Sequence, residues 1–128
     1  MALKKILLVE DDQAFNFLNR QILKMNNVNC QVDEALNGKA ALDYLSTGKE
    51  CPEVILLDLN MPVMDGFEFL EEFERKNKCS HRSSVFILTS STRDEDRALS
   101  LSNNNVKGYF YKPLGPAAIK EILSKMAN

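Results

Sequence analysis

Glu10-Asp11-Asp12 follows the apolar run Ile6-Leu7-Leu8-Val9, and Asp58 follows Val54-Ile55-Leu56-Leu57. Thr89-Ser90-Ser91 follows Val85-Phe86-Ile87-Leu88, and Lys112-Pro113 follows Tyr111. A buried carboxylate without a partner costs several kcal/mol, so Asp58 at a strand end requires a wet edge or a cation. If these runs are parallel strands of one sheet, their ends share an edge, and open α/β sheets bind ligands in the crevice outside it. The pocket would hold acids, a hydroxyl and an amine. Two carboxylates about 4 Å apart repel by roughly 4 kcal/mol at an effective dielectric near 20. Three together would have raised pKa values unless a cation sits among them. Lys112 alone cannot neutralise them. Hard oxygen ligands suit Mg²⁺, which keeps several waters and binds through one or two carboxylates plus a phosphate oxygen. Such a set makes a site for a phosphoryl group, where catalysis is mostly positioning and charge neutralisation.

The elements that must hold these groups are legible from periodicity. The three strong runs lack alternation, which predicts strands buried on both faces of a parallel sheet. Weaker strands fit Asn29 to Ala35 and Gly108 to Tyr111. Between them lie helical stripes: Ala14, Leu18, Ile22 and Met25; Phe69, Leu70 and Phe73; Ile119, Ile122, Leu123 and Met126. A shorter helix is expected over Lys39 to Ser46 after the Asn37-Gly38 turn, and another after Thr92, where Thr92 and Glu95 have capping-box spacing. The order is strand then helix, five times over, which is a doubly wound α/β sheet.

At 128 residues the chain can bury a core as one domain without metal or disulfide staples. Its net charge of −2 supplies no basic field, which argues against nucleic acid or an anionic membrane as main partner. The apolar runs are far too short to span a bilayer, and Met1-Ala2-Leu3-Lys4-Lys5 leads into a strand rather than a signal segment. Cys30, Cys51 and Cys79 share no metal-like spacing and read as three reduced thiols of a cytosolic protein. His81 falls in a polar Cys79-to-Ser84 loop and reads as solvated, not as a phosphotransfer histidine.

As an ordered set, ILLVEDD, LLDLNMPVMDGFEFL, FILTSS and GYFYKP resemble the receiver domain of two-component response regulators, with the likeness running over residues 1–128. The resemblance implies a flavodoxin-like fold with a five-stranded parallel sheet in order 2-1-3-4-5. It implies Asp58 as phosphoacceptor, Mg²⁺ held by the carboxylates of Asp12 and Asp58 and the backbone carbonyl of Asn60, and Asp11 acting through metal-bound water. Lys112 would pair with Asp58 and then with the phosphoryl group, Thr89 would supply a hydroxyl, and Tyr109 would be an aromatic switch. The Lys112-Pro113 bond would be cis. The implied partners are a histidine kinase or phosphotransfer protein and an unknown output protein, met in the cytoplasm. Such a chain catalyses its own phosphorylation and dephosphorylation and is a switch rather than an enzyme. The end at Asn128, just after the last helical stripe, fits a free-standing chemotaxis-type receiver or a piece of a longer protein.

Taken singly, each group has a plainer reading: Glu10-Asp11-Asp12 as a helix N-terminus, Asp58 as a turn residue, Thr89 as an N-cap, Lys112 as a surface lysine. Those readings fail jointly, because the groups converge on one sheet edge. Haloacid-dehalogenase-type phosphatases also use an aspartate after a parallel strand, but they resemble Asp-x-Asp, and Asn60 occupies the second acid's position. A degenerate receiver acting only as a binding module would be favoured by a missing acid or lysine, and none is missing.

Overall fold

A computed structural model describes residues 3–48 and 50–127. Met1 and Ala2, read as the approach to the first strand, and the terminal Asn128 lie outside them. The strands are β1 (Lys5–Val9), β2 (Gln31–Ala35), β3 (Val54–Leu57), β4 (Ser84–Thr89) and β5 (Val106–Tyr111). They alternate with α1 (Gln13–Met25), α2 (Gly38–Thr47), α3 (Gly66–Lys76), α4 (Asp94–Leu101) and α5 (Pro116–Met126). The sheet is parallel throughout, in the order β2-β1-β3-β4-β5.

The continuous apolar runs are buried on both faces, as their lack of alternation predicts. Leu7, Val9, Ile55, Leu57, Val85 and Ile87 face Ala41 and Leu45 of α2 and Phe69, Leu70 and Phe73 of α3. Their neighbours Ile6, Leu8, Val54, Leu56, Phe86 and Leu88 face Leu23 of α1 and Ile119 and Ile122 of α5. β2, at the edge, starts at Gln31 rather than Asn29 and is half exposed; β5 starts two residues before the expected Gly108.

Most helix starts follow their caps. Asp12 caps α1, Asn37 caps α2, and Asp65 with Glu68 closes a full capping box on α3. Pro116, which lacks the amide that a first-turn residue leaves unpaired, opens α5. The Lys112–Pro113 peptide is cis.

Four expectations are corrected. The Thr92 capping box does not form: α4 begins at Asp94 with Arg93 as its uncapped N-cap. Ser91 Oγ instead accepts the Arg93 N–H (3.3 Å) and donates to Asp96 Oδ2 (2.6 Å), which pulls the start of the helix later. The α1 stripe is mostly turned outward: Ala14, Leu18 and Met25 are exposed and only Ile22 packs against the core, while Asn16, Asn19 and Leu23 are the buried residues of the helix. Asn16 is drawn inward by a hydrogen bond from its Nδ2 to the Glu10 carbonyl (3.1 Å). His81 is exposed, as expected, but ends a 3-10 turn over Lys78–His81 whose Cys79 and Ser80 are buried. Finally, Cys51 and Cys79 form a disulfide, leaving only Cys30 free among the described residues. They stand 28 residues apart in sequence and meet because the turn after α3 returns to the segment that enters β3.

Candidate functional site

The strand order reverses between β1 and β3, and that is where the acids gather. Chain direction and sheet order disagree only there, so the loops leaving β1 and β3 splay to opposite faces and open a crevice; the rule was drawn in part from flavodoxin-like sheets of this order. The Asp58 N–H donates to the Val9 carbonyl (3.0 Å), setting Asp58 beside the Glu10-Asp11 turn. The Glu10 N–H donates to Ala35 O (3.0 Å), so this turn is tied on both sides. Behind Asp58, the N-terminus of α3 lies on the backbone. A Cβ on Gly66 would stand 2.7 Å from the Asp58 carbonyl oxygen and 2.8 Å from Leu59 Cα, so only glycine allows that approach.

Asp58 is 5% exposed, and its two oxygens differ. Oδ2 accepts from Lys112 Nζ (3.2 Å), whereas Oδ1 is buried without a hydrogen-bond partner. Lys112 also pairs with Glu10 Oε1, and its ammonium lies 4.5 Å from the centre of the Phe15 ring, a cation–π distance. Burial would pull the Lys112 pKa down, but the Glu10 and Asp58 carboxylates outweigh it and hold the amine charged. Glu10 is pushed up to about 7, first by burial and then by the Asp58 charge, against the stabilising bonds from Lys112 and the Asp12 N–H.

Glu10, Asp11 and Asp58 each present a carboxylate oxygen within 4.8 Å of the others. Three clustered carboxylates, one of which carries a buried orphan oxygen, fit a small divalent cation that retains water. Asp12 does not join them. Its Oδ1 accepts from the N–H groups of Ala14 (2.9 Å) and Phe15 (3.4 Å), so the carboxylate assigned to the metal is committed to the end of α1, and Glu10 takes a place in the cluster. The sequence reading missed Glu10 because three consecutive acids do not announce which one the helix will claim. It also missed Phe15 and Asn16, whose contacts come from the fold.

The remaining expected residues line the same edge. Thr89 is fully buried at the end of β4, and its Oγ1 accepts the Ser91 N–H (3.2 Å). The Lys112 N–H donates to Thr89 O (2.9 Å), which joins the hydroxyl-bearing and amine-bearing strand ends. Asn60 is exposed, two residues beyond Asp58. Tyr109 is already inside: it is 7% exposed, its hydroxyl donates to Ser91 O (3.4 Å), and the Arg97 guanidinium sits 5.3 Å from its ring centre.

Residues 6–124 match the family model of the response regulator receiver domain. The chain is 34% identical to a probable methanogenesis regulatory protein, FilR2, of Methanothrix harundinacea, over 94% of this chain and 79% of that protein. It is 33% identical to the hybrid signal transduction histidine kinase L of Dictyostelium discoideum over 96% of this chain, which spans only 7% of that kinase. Among solved structures, a two-component response regulator from Cytophaga hutchinsonii superposes with a TM-score of 0.91 at 30% identity, covering 100% of this chain and 99% of the other.

Proposed function

Because this chain belongs to the response regulator receiver domains, modules of phosphorylation-dependent two-component signalling, we propose that its Asp58 carboxylate is the phosphoacceptor. The observation that carries this reading is the asymmetry of Asp58: one oxygen is held by Lys112, the other is buried without a partner, and the carboxylate stands in a cluster with Glu10 and Asp11. An Asp58 oxygen attacks the phosphorus of a phosphohistidine on a histidine kinase or phosphotransfer protein. The P–N bond breaks, the imidazole leaves with a proton, and an acyl phosphate forms. Water later attacks the same phosphorus, the bond from phosphorus to the Asp58 oxygen breaks, and inorganic phosphate leaves with the carboxylate restored, so the chain catalyses its own modification and its reversal.

Mg²⁺, when bound, neutralises charge on the transferring oxygens. Asp11 and Asp58 would hold it with carboxylate oxygens and Asn60 with its backbone carbonyl, while Glu10 would act through water bound to the ion. Lys112 draws one Asp58 oxygen to a fixed position and then offers its ammonium to the phosphoryl group. Thr89 supplies a hydroxyl for a phosphoryl oxygen. Phe15 covers the amine and limits its access to water.

The donor is read by α1. Phe17, Leu18 and Met25 are 60%, 50% and 75% exposed, an apolar stripe beginning about one turn from the acid turn, suited to an apolar helical face of the donor. We place this exchange in the cytoplasm, with an output protein and not nucleic acid as the receiver of the signal. No described helix is long and apolar enough to cross a membrane.

Incubation with Mg²⁺ and acetyl phosphate tests the assignment. The chain should gain one base-labile phosphoryl group on Asp58, and Asp58→Asn should abolish it while keeping the fold. A label on His81 or on a serine would overturn it.

A further inference from the structure

Away from the acid cluster, α3 and α4 leave a groove between them of about 290 Å³, ample room for a bulky side chain. Its apolar surfaces are Phe67 and Leu70 of α3 and Leu99 of α4. Leu70 is buried, but Leu99 stands 59% exposed at the rim. Glu71 and Glu74 form the α3 wall. Among the described residues no cation pairs with either, whereas the neighbouring Glu72 is neutralised by Arg75 (3.5 Å) and Lys76 (3.4 Å). Asn103 Nδ2, in the turn after α4, donates to Glu74 Oε2 of α3 (3.0 Å) and so ties that turn to the α3 wall of the groove.

We infer that this groove docks a basic segment of a partner protein, in which one bulky aliphatic or aromatic side chain is flanked by lysine or arginine. The apolar floor and the exposed Leu99 call for the anchor, and two carboxylates on one wall, without a cationic partner among the described residues, call for the flanking cations. An acidic or uniformly polar segment would leave Leu99 exposed and add like charge beside Glu71 and Glu74. The surface is separate from the Asp58 crevice and from the apolar stripe of α1. Leu99 lies one helical turn after Asp96, the residue bonded to Ser91 Oγ beside Thr89. A change at the phosphoryl site thus has a short hydrogen-bonded path to the groove, but docking itself requires no phosphorylation.

The test uses the unphosphorylated full chain and a blocked synthetic helical peptide presenting one leucine between lysines on one face. Amide chemical shifts should move at residues 67–74 and 99–103 and leave residues 10–12 and 58 in place. Replacing the peptide's leucine by alanine, or making Glu71→Lys with Glu74→Lys in the chain, should weaken binding about tenfold. Leu99→Ala, at an exposed position, should do the same without affecting folding. Equal binding by the alanine peptide would show attraction by charge alone, and shifts centred on α1 or α5 would place docking elsewhere. Either result overturns the inference and leaves the phosphoacceptor assignment untouched.

Discussion

Asp11 and Asp12 are chemically the same group one residue apart, yet their surroundings give them different work. Asp11 faces Glu10 and Asp58, while Asp12 bonds two amides at the head of α1. Asp11→Ala should therefore weaken Mg²⁺ binding sharply and raise the melting temperature of the metal-free chain, since it removes like charge. Asp12→Ala should cost about 1 kcal/mol of stability through the lost cap and change Mg²⁺ affinity little. Titration of both variants with Mg²⁺, followed by thermal unfolding, separates the two roles; equal losses of affinity would refute the distinction. Glu10 carries the pH dependence. Its folded pKa, about 7, lies above the ordinary 4.5, so the metal-free folded chain holds a proton that the unfolded chain has released. The stability linked to that proton is fully present below about pH 4.5 and is lost as pH rises to about 7. Wild type should lose on the order of 2 kcal/mol relative to Glu10→Gln across that window. Parallel urea unfolding of both proteins measures this; a constant gap from pH 4.5 to 7.5 would contradict it.

Among the elements, the segment from β3 through α3 to the 3-10 turn stands out because it is tied at both ends. Gly66 seats the head of α3 on the Asp58 backbone, and the Cys51–Cys79 disulfide joins the turn beyond the helix to the approach to β3. The loop it closes spans 28 residues, for which chain-entropy reasoning gives about 3.6 kcal/mol of stabilisation. Cys51→Ala, at a half-buried position, should lower stability by about that amount, and dithiothreitol should lower wild type to the same level while leaving the variant unchanged. A wild type indifferent to reductant would mean that the two thiols stay unpaired in solution. Under reducing conditions the fold would lack this tie and keep only the lower stability.

At the scale of the whole molecule, a signal must cross from the acid crevice to a surface that a partner can read. The available path runs from Thr89 through the Ser91 backbone to Tyr109 and, by the Ser91–Asp96 bond, into α4. Tyr109 already lies inside, so phosphorylation has little ring movement to add; what it can break is the Thr89–Ser91 contact, by recruiting the hydroxyl to a phosphoryl oxygen. Two arrangements differing by a few kcal/mol would suffice for switching. Thr89→Ala should still accept a phosphoryl group at Asp58 but fail to shift residues 91–111. Amide spectra of both proteins with and without beryllofluoride, a phosphoryl mimic, check this. Equal shifts in the two would break the proposed link and spare the phosphoacceptor.

Much of this architecture is written in local pattern. Runs such as Val54 to Leu57 can be satisfied only between two covered faces, and a carboxylate placed directly after such a run must stand at the edge of the sheet. Hence the strands, their alternation with helices and the position of Asp58 follow from the chain itself. What the pattern does not contain is competition between neighbours. Asp12 and Glu10 are equally plausible metal ligands until the amides of Ala14 and Phe15 claim one of them. α1 carries polar and apolar stripes, and the side facing the sheet combines Leu23 and half-buried Ile22 with Asn16, whose bond to the Glu10 carbonyl no hydropathy pattern announces. Cys51 and Cys79 carry no spacing signal, because their meeting depends on how far α3 runs before the chain turns back. Each of these outcomes rests on contacts between residues that only the packed tertiary structure brings within reach.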